Sequence, residues 1–204
     1  MSDKTVSEIQ QAFTESTANV LGGYFDQIDR LKAQRDLEEG RYLDQLSPEQ
    51  RQSTLRNEKH QKATELTEKT REAYAAEVEQ YHSALAKRTE HLMERLFKVE
   101  DAGALSRAAL ATDAELGVLS ELATRADNKE LAKAVFVAAE QRGLGEHMAS
   151  YFDQIDPEAR ELYSEWSELP PAEALERQAD NVDAVLPIPD PDSLMPRAQA
   201  DLVR

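Results

Sequence analysis

The chain contains no cysteine, which excludes disulfides, thiolate metal sites and thiol redox chemistry. Glycine and proline are scarce, at 7 and 8 residues. No stretch alternates apolar with polar residues in the manner of a half-buried strand, so little or no sheet is expected. No run approaches the roughly 18 consecutive apolar residues that a membrane-crossing helix needs. Met1-Ser2-Asp3-Lys4 leads straight into an amphipathic pattern, without the basic and apolar regions of a secretory signal. Basic residues are the minority: 24 Lys and Arg against 40 Asp and Glu, a net charge of −16 over 204 residues. Such a balance repels phosphate backbones, so direct nucleic-acid binding is not expected.

What is present is helix-forming sequence. The longest piece runs from Pro48 to about Val99, with no internal Gly or Pro and a dense mix of Glu, Lys, Arg, Gln and Ala. It opens on Ser47-Pro48-Glu49-Gln50: an N-cap hydroxyl, a proline at the first helical position, and a glutamine placed to complete a capping box. Unbroken, it is one helix of about 50 residues and about 75 Å, an arm or coiled-coil shaft. Within it Tyr74, Val78, Tyr81, Leu85, Leu92, Leu96 and Val99 follow heptad spacing with a stutter near Leu92–Leu96. The preceding half, Arg51–Glu72, offers only Leu55, Ala63 and Leu66 amid charged residues and is expected to bury little. Residues 28–46 fold back along the long helix as an antiparallel hairpin in this reading.

The first 47 residues form amphipathic helices. Val6, Ile9, Phe13, Val20, Tyr24, Ile28 and Leu31 make one stripe, with Ser16 and Thr17 filling its gap. Gly22-Gly23 costs about 2 kcal/mol of helix propensity relative to alanine and predicts a kink or break, after which the helix resumes to about Leu46. The segment Tyr24-Phe25-Asp26-Gln27-Ile28-Asp29 recurs identically at 151–156 and loosely at 42–47. The last two copies run into Pro157 and Pro48, the pattern of a sharp helix–helix corner.

Residues 100–185 read as a small acidic helical bundle. Thr112-Asp113-Ala114-Glu115 is a capping box, Asp127 or Asn128 caps a helix over 129–142, and Gly143 closes it. Helices over 146–155, 157–169 and 172–182 follow. The core candidates are Leu105, Leu116, Leu119, Leu122, Leu131, Val135, Phe136, Leu144, Met148, Phe152, Ile155, Leu162, Tyr163 and Trp166. Residues 186–204 form an extended tail, because prolines at 187, 189, 191 and 196 favour polyproline-like backbone. The fold class is therefore all-α: a long helical hairpin or coiled-coil arm (1–47 and 48–99), a small bundle (100–185) and a proline-rich tail (186–204).

Chemistry is sparse. Glu79 and His82 form one Glu-x-x-His, but a di-metal carboxylate bundle needs a second copy on a facing helix, and none exists. Gly143-Leu144-Gly145 lacks the strand and lysine of a phosphate loop. No catalytic residue, metal ligand or cofactor is expected, and the chain reads as non-enzymatic. The charge is uneven: residues 1–99 carry a net −3, whereas residues 100–204 carry −13. That asymmetry either serves solubility or suits a basic partner surface.

The leading reading is a scaffold or adaptor subunit, with copies of itself and a larger assembly as partners, and no membrane. The expected contact residues are the seam Tyr74, Val78, Tyr81, Leu85, Leu92 and Leu96, the aromatic Trp166, and the tail anchors Leu194, Met195, Leu202 and Val203. Core packing is the competing role for Trp166, and folding back onto its own bundle the competing role for the tail. In composition and architecture the chain resembles the helical, acidic scaffolding and head- or tail-assembly proteins of tailed bacteriophages. That resemblance implies a cytoplasmic or virion location. The alternative reading is an acidic regulatory module, an anti-factor or nucleic-acid mimic, using the net −11 of residues 146–192.

Overall fold

The computed structural model describes residues 4–34, 46–145, 152 and 157–195. Among these, all regular structure is helical: α1 (Val6–Ala33), α2 (Pro48–Phe97), α3 (Ala102–Leu110), α4 (Asp113–Arg125), α5 (Lys129–Glu140), α6 (Pro157–Ser167), α7 (Ala172–Asp180), α8 (Val182–Val185) and a 3₁₀ turn, Pro191–Leu194. No helix among them is long and apolar enough to cross a membrane. The fold class is the expected one. Two compact units divide the chain, one made of Met1–Gln10 with His82–Pro170, the other of Gln11–Tyr81 with Pro171–Arg204. Residues of α2 contribute to both units.

In the unit containing Gln11–Tyr81, α1 and α2 run antiparallel: Phe13 stacks on Tyr81, the Tyr24 hydroxyl meets that of Thr67, and Lys59 reaches the carbonyl of Lys32. The capping box at the start of α2 forms as the sequence dictates. The Ser47 amide donates to Gln50 Oε1 at 2.9 Å, and the Gln50 amide to Ser47 Oγ at 3.3 Å. Two expectations need correction. First, α1 passes through Gly22-Gly23 without a break, because Tyr24, Ile28 and Leu31 on its buried face pack with Ala63 and hold the helix together. It ends at Ala33, and the expected continuation towards Leu46 lies outside the described residues. Both glycines are exposed, and a methyl added to either meets nothing within 4 Å. Each Gly→Ala change is therefore expected to stabilise this unit by about 0.5–1 kcal/mol, read from urea unfolding. A loss of stability would show that the helix needs flexibility there.

Second, the polar half of α2 is not bare. Its buried stripe is continuous: Lys59, Ala63, Thr67 and Thr70 precede Val78 and Tyr81, and Leu85, Arg88, Leu92 and Leu96 follow. The threonine hydroxyls at 67 and 70 donate to the carbonyls of Ala63 and Leu66, so small polar residues occupy the seam with their hydrogen bonds satisfied. Against this stripe lies the segment after α8. Leu186 and Leu194 are buried with Tyr24, Ile28, Leu31 and Ala63, and Asp190 caps the turn that carries Leu194. Residues 186–195 therefore fold back onto α1 and α2 of their own unit, not onto the bundle.

The other unit is built around α5. Every residue from Leu131 to Ala139 except Lys133 is buried, the pattern of a helix enclosed on all sides. Phe136 sits at its centre, with ring centroids 5.0 Å from Phe152, 5.2 Å from Tyr163 and 5.8 Å from Phe97. The Thr112–Glu115 capping box of α4 is present in both directions. Asn128 rather than Asp127 caps α5, donor Leu131 lying 3.0 Å away. Asp127 instead supplies the left-handed turn, φ 47°, at the end of α4. Glu130, in the first turn of α5, bonds outside its own helix. Its carboxylate accepts from the Glu100 amide at 2.8 Å and from that of Asp101 at 3.3 Å, before α3. Gly143 ends α5 at φ 73°, with the Leu144 amide bonded to Ala139 O. The expected helix over 146–155, its cap on Pro157 and most of the second and third hexapeptide copies lie outside the described residues. The first copy lies mid-helix, with Tyr24 and Ile28 inward and the remainder exposed.

Candidate interaction surface

The residues read from the sequence as contacts are placed as follows. Val78, Tyr81, Leu85, Leu92 and Leu96 are buried, and Tyr74 is half-buried against the cluster around Tyr24. Their seam is taken up by the chain itself: Tyr81 by Phe13, Leu96 by the core around Phe136. Trp166 is half-buried, edge-on to Phe97 with ring centroids 4.9 Å apart. Leu194 is buried and Met195 half-buried, while Leu202 and Val203 lie outside the described residues. None of the described members of the set is solvent-exposed.

Exposed apolar side chains gather elsewhere, at the α3–α4 corner. Leu110 is 87% exposed, Val118 67% and Leu122 49%. Leu110, Ala111, Val118 and Leu119 line an apolar hollow of about 430 Å³ whose charged members are Arg107 and Glu115. The local sequence explains why this corner stays open. Each helix buries one narrow stripe against α5, Ala104 and Ala108 from α3, Leu116, Ser120 and Ala123 from α4. Leu110 and Val118 fall off those stripes and point outward. Sequence reasoning counted Leu122 and Leu105 as core by residue type alone. In helices this short and this rich in apolar residues, the sequence alone does not separate the buried face from the open one.

The corner is held in place by one side chain. Arg142, beyond the end of α5, donates to Ala111 O at 2.7 Å, Ala109 O at 3.0 Å and Asp113 Oδ1 at 3.1 Å. It neutralises the C-terminal carbonyls of α3 and the first turn of α4 together, so the apolar hollow is presented on a pinned junction. Glu115 is fixed as well. The backbone amide and then the hydroxyl of Thr112 hold its carboxyl below the usual glutamate range.

The same unit has a polar groove of about 650 Å³ over α2 and α6, lined by Arg88, His91, Arg95, Glu158, Glu161 and Glu165 among others. Its floor is an ion pair. Arg88 Nη2 lies 2.6 Å from Glu165 Oε2 and Nε 2.7 Å from Oε1, and that same oxygen accepts the Val6 amide at 2.7 Å. Glu165 therefore joins α2, α6 and the N-terminus of α1, where a carboxylate is favoured by the helix dipole. The Arg88 hydrogen bonds hold its carboxyl below the ordinary range, against the opposing effect of burial. The arrangement is structural: the two charges are spent on each other and on a helix end. Among the described residues no group of three or more His, Asp or Glu side chains is placed to hold a metal ion.

The charge asymmetry read from the sequence also has a local meaning. Acids of the second half pair with arginines of α2, Glu158 with Arg95 and Glu165 with Arg88 in one unit, Asp183 with Arg71 and Asp192 with Arg56 in the other. Four carboxylates that a nucleic-acid mimic would display are thereby engaged inside the chain. The chain matches no known protein-family model, no curated protein and no solved structure.

Proposed function

We propose that the protein is a non-enzymatic helical assembly subunit, a scaffold or adaptor that docks onto protein partners through the α3–α4 corner. The observation that carries this reading is the pair of exposed side chains Leu110 and Val118 at an apolar hollow, on a junction pinned by Arg142. An apolar cluster on an otherwise charged surface is where a protein interface is expected. A rigid platform lowers the ordering cost of binding. The resemblance in composition to bacteriophage scaffolding and head- or tail-assembly proteins supports this class, with a cytoplasmic or virion location. Mimicry of nucleic acid is the less supported reading, since four of its acids are paired internally.

Native mass spectrometry of the protein with its co-purifying partners tests the proposal. The wild type is expected in a defined multi-copy complex, and Leu110→Asp is expected outside it. Leu110 is almost wholly exposed, so the substitution should leave the melt of the isolated protein within about 0.5 kcal/mol. Normal incorporation of Leu110→Asp, or a one-to-one complex with a basic regulator, would overturn the proposal.

A further inference from the structure

The occupant of the hollow can be read from how its charges are set. On α3, Arg107 stands three residues before Leu110; on α4, Glu115 stands three residues before Val118. Residues three apart share a helix face, so each helix presents one apolar residue with one charge a turn earlier, and the two signs are opposite. Arg107 makes no ion pair among the described residues, and the second carboxylate oxygen of Glu115 is left over from its capping box, which uses Oε2. The patch is locally neutral on a chain of net charge −16. A strongly basic or acidic partner would leave one of the two charges opposed. A copy of the same surface would leave neither.

We infer that the α3–α4 corner is a two-fold interface between copies of this chain, resting on the docking reading above: Leu110 of each copy enters the hollow of the other, and Arg107 of each faces Glu115 of its partner. A two-fold operation that lays α3 of one copy over α4 of the other brings cation to anion twice and apolar residue to apolar residue twice. That self-complementarity is the requirement for an isologous contact. The hollow supplies space for the protruding leucine, and the neutral patch gives two acidic molecules one place to approach without repulsion.

Sedimentation equilibrium of the full chain over a range of concentrations tests this. The wild type is expected to form dimers, and Leu110→Asp and Arg107→Glu to weaken the dissociation constant at least tenfold with unchanged circular dichroism melts. The reversed pair, Arg107→Glu with Glu115→Lys, is expected to recover dimerisation relative to Arg107→Glu alone. Because Glu115 also caps α4, its melt is followed in parallel, and recovery is scored at a temperature where both variants are folded. A monomeric wild type, or a dimer indifferent to Leu110→Asp, or no recovery in the reversed pair, would overturn the inference. A monomeric wild type whose Leu110→Asp variant is nonetheless excluded from the native complex would remove self-association and leave the docking reading standing. Normal incorporation of that variant would remove the docking reading itself.

Discussion

Glu165→Gln is expected to lower the stability of its unit by about 3 kcal/mol at neutral pH, the usual cost of leaving one charge of a buried pair without its partner. Arg88 and Glu165 are both about nine-tenths buried, their contact is bidentate, and the second acceptor role of Glu165 anchors the Val6 amide. Glutamine keeps the shape but replaces one acceptor oxygen by an NH2 donor, so the loss combines the charge with at least one hydrogen bond to Arg88 or Val6. The pH dependence has a definite sign. Since the folded carboxyl titrates below its unfolded value, its contribution is fully present above the ordinary glutamate range. It is lost as pH falls through the depressed folded value. Chemical denaturation of the wild type should therefore show stability dropping on acidification in that window, and the Gln variant should lack that component. Glu158→Gln, which breaks the exposed pair with Arg95, is the control and should change stability by less than about 0.5 kcal/mol. Equal effects of the two substitutions would mean that Arg88–Glu165 is no more than a surface pair.

The Arg88 site also shows where the sequence was legible and where it was not. The spacing of apolar residues along α2 has a seven-residue interval between Leu85 and Leu92, and Arg88 occupies the position that heptad spacing demands there. The period was readable, but the partner acid lies 77 positions away and nothing local marks it. The same holds upstream, where Lys59, Thr67 and Thr70 continue the buried stripe in residue types that ordinarily signal solvent. Capping boxes at Ser47 and Thr112, by contrast, are set within four residues and appear where local chemistry puts them. Gly22-Gly23 failed as a break signal because propensity is a weak prior once a neighbouring helix covers the adjoining face. Leu105 and Leu122 read as core but are exposed, because a short helix with many apolar residues gives no phase until its packing partner is known. Local rules therefore found the helices and their ends. Long-range pairing decided which face was buried, and hence which surface remained open.

The tail is where long-range pairing matters most, and Lys59 controls it. Its side chain is 1% exposed, yet its ammonium is satisfied by three backbone carbonyls, Lys32 at 3.0 Å, Gln34 at 2.5 Å and Leu194 at 3.3 Å. Two of these acceptors belong to the C-terminal end of α1, where a cation is favoured, and the third to the folded-back segment. Arg71 grips the other end of that segment, donating from Nε and Nη2 to Leu186 O. Both contacts are made to backbone, so the two cations hold the path of the chain whatever its side chains, and Leu186 and Leu194 then fill the space beside Ala63. Lys59→Met keeps the length and apolar stem of the side chain and removes the charge together with its three hydrogen-bond donors. It is expected to destabilise this unit by about 2–3 kcal/mol, because carbonyls are left without donors and the relief of burying a charge offsets only part of the loss. Backbone amide exchange at Ser193 and Met195, which close the turn onto Asp190 and Asp192, should accelerate more than exchange in the middle of α2. Burial pushes the Lys59 ammonium below its usual value. The stability difference between wild type and Lys59→Met should therefore grow as pH rises through that lowered value towards the ordinary lysine range. Lys62→Met, one turn on and bridged to Glu58 at the surface, provides the comparison and should sit within about 0.5 kcal/mol of wild type. If Lys59→Met behaved like Lys62→Met and left exchange at Ser193 and Met195 unchanged, the two leucines alone would be holding the segment, and the clasp by Lys59 would be wrong.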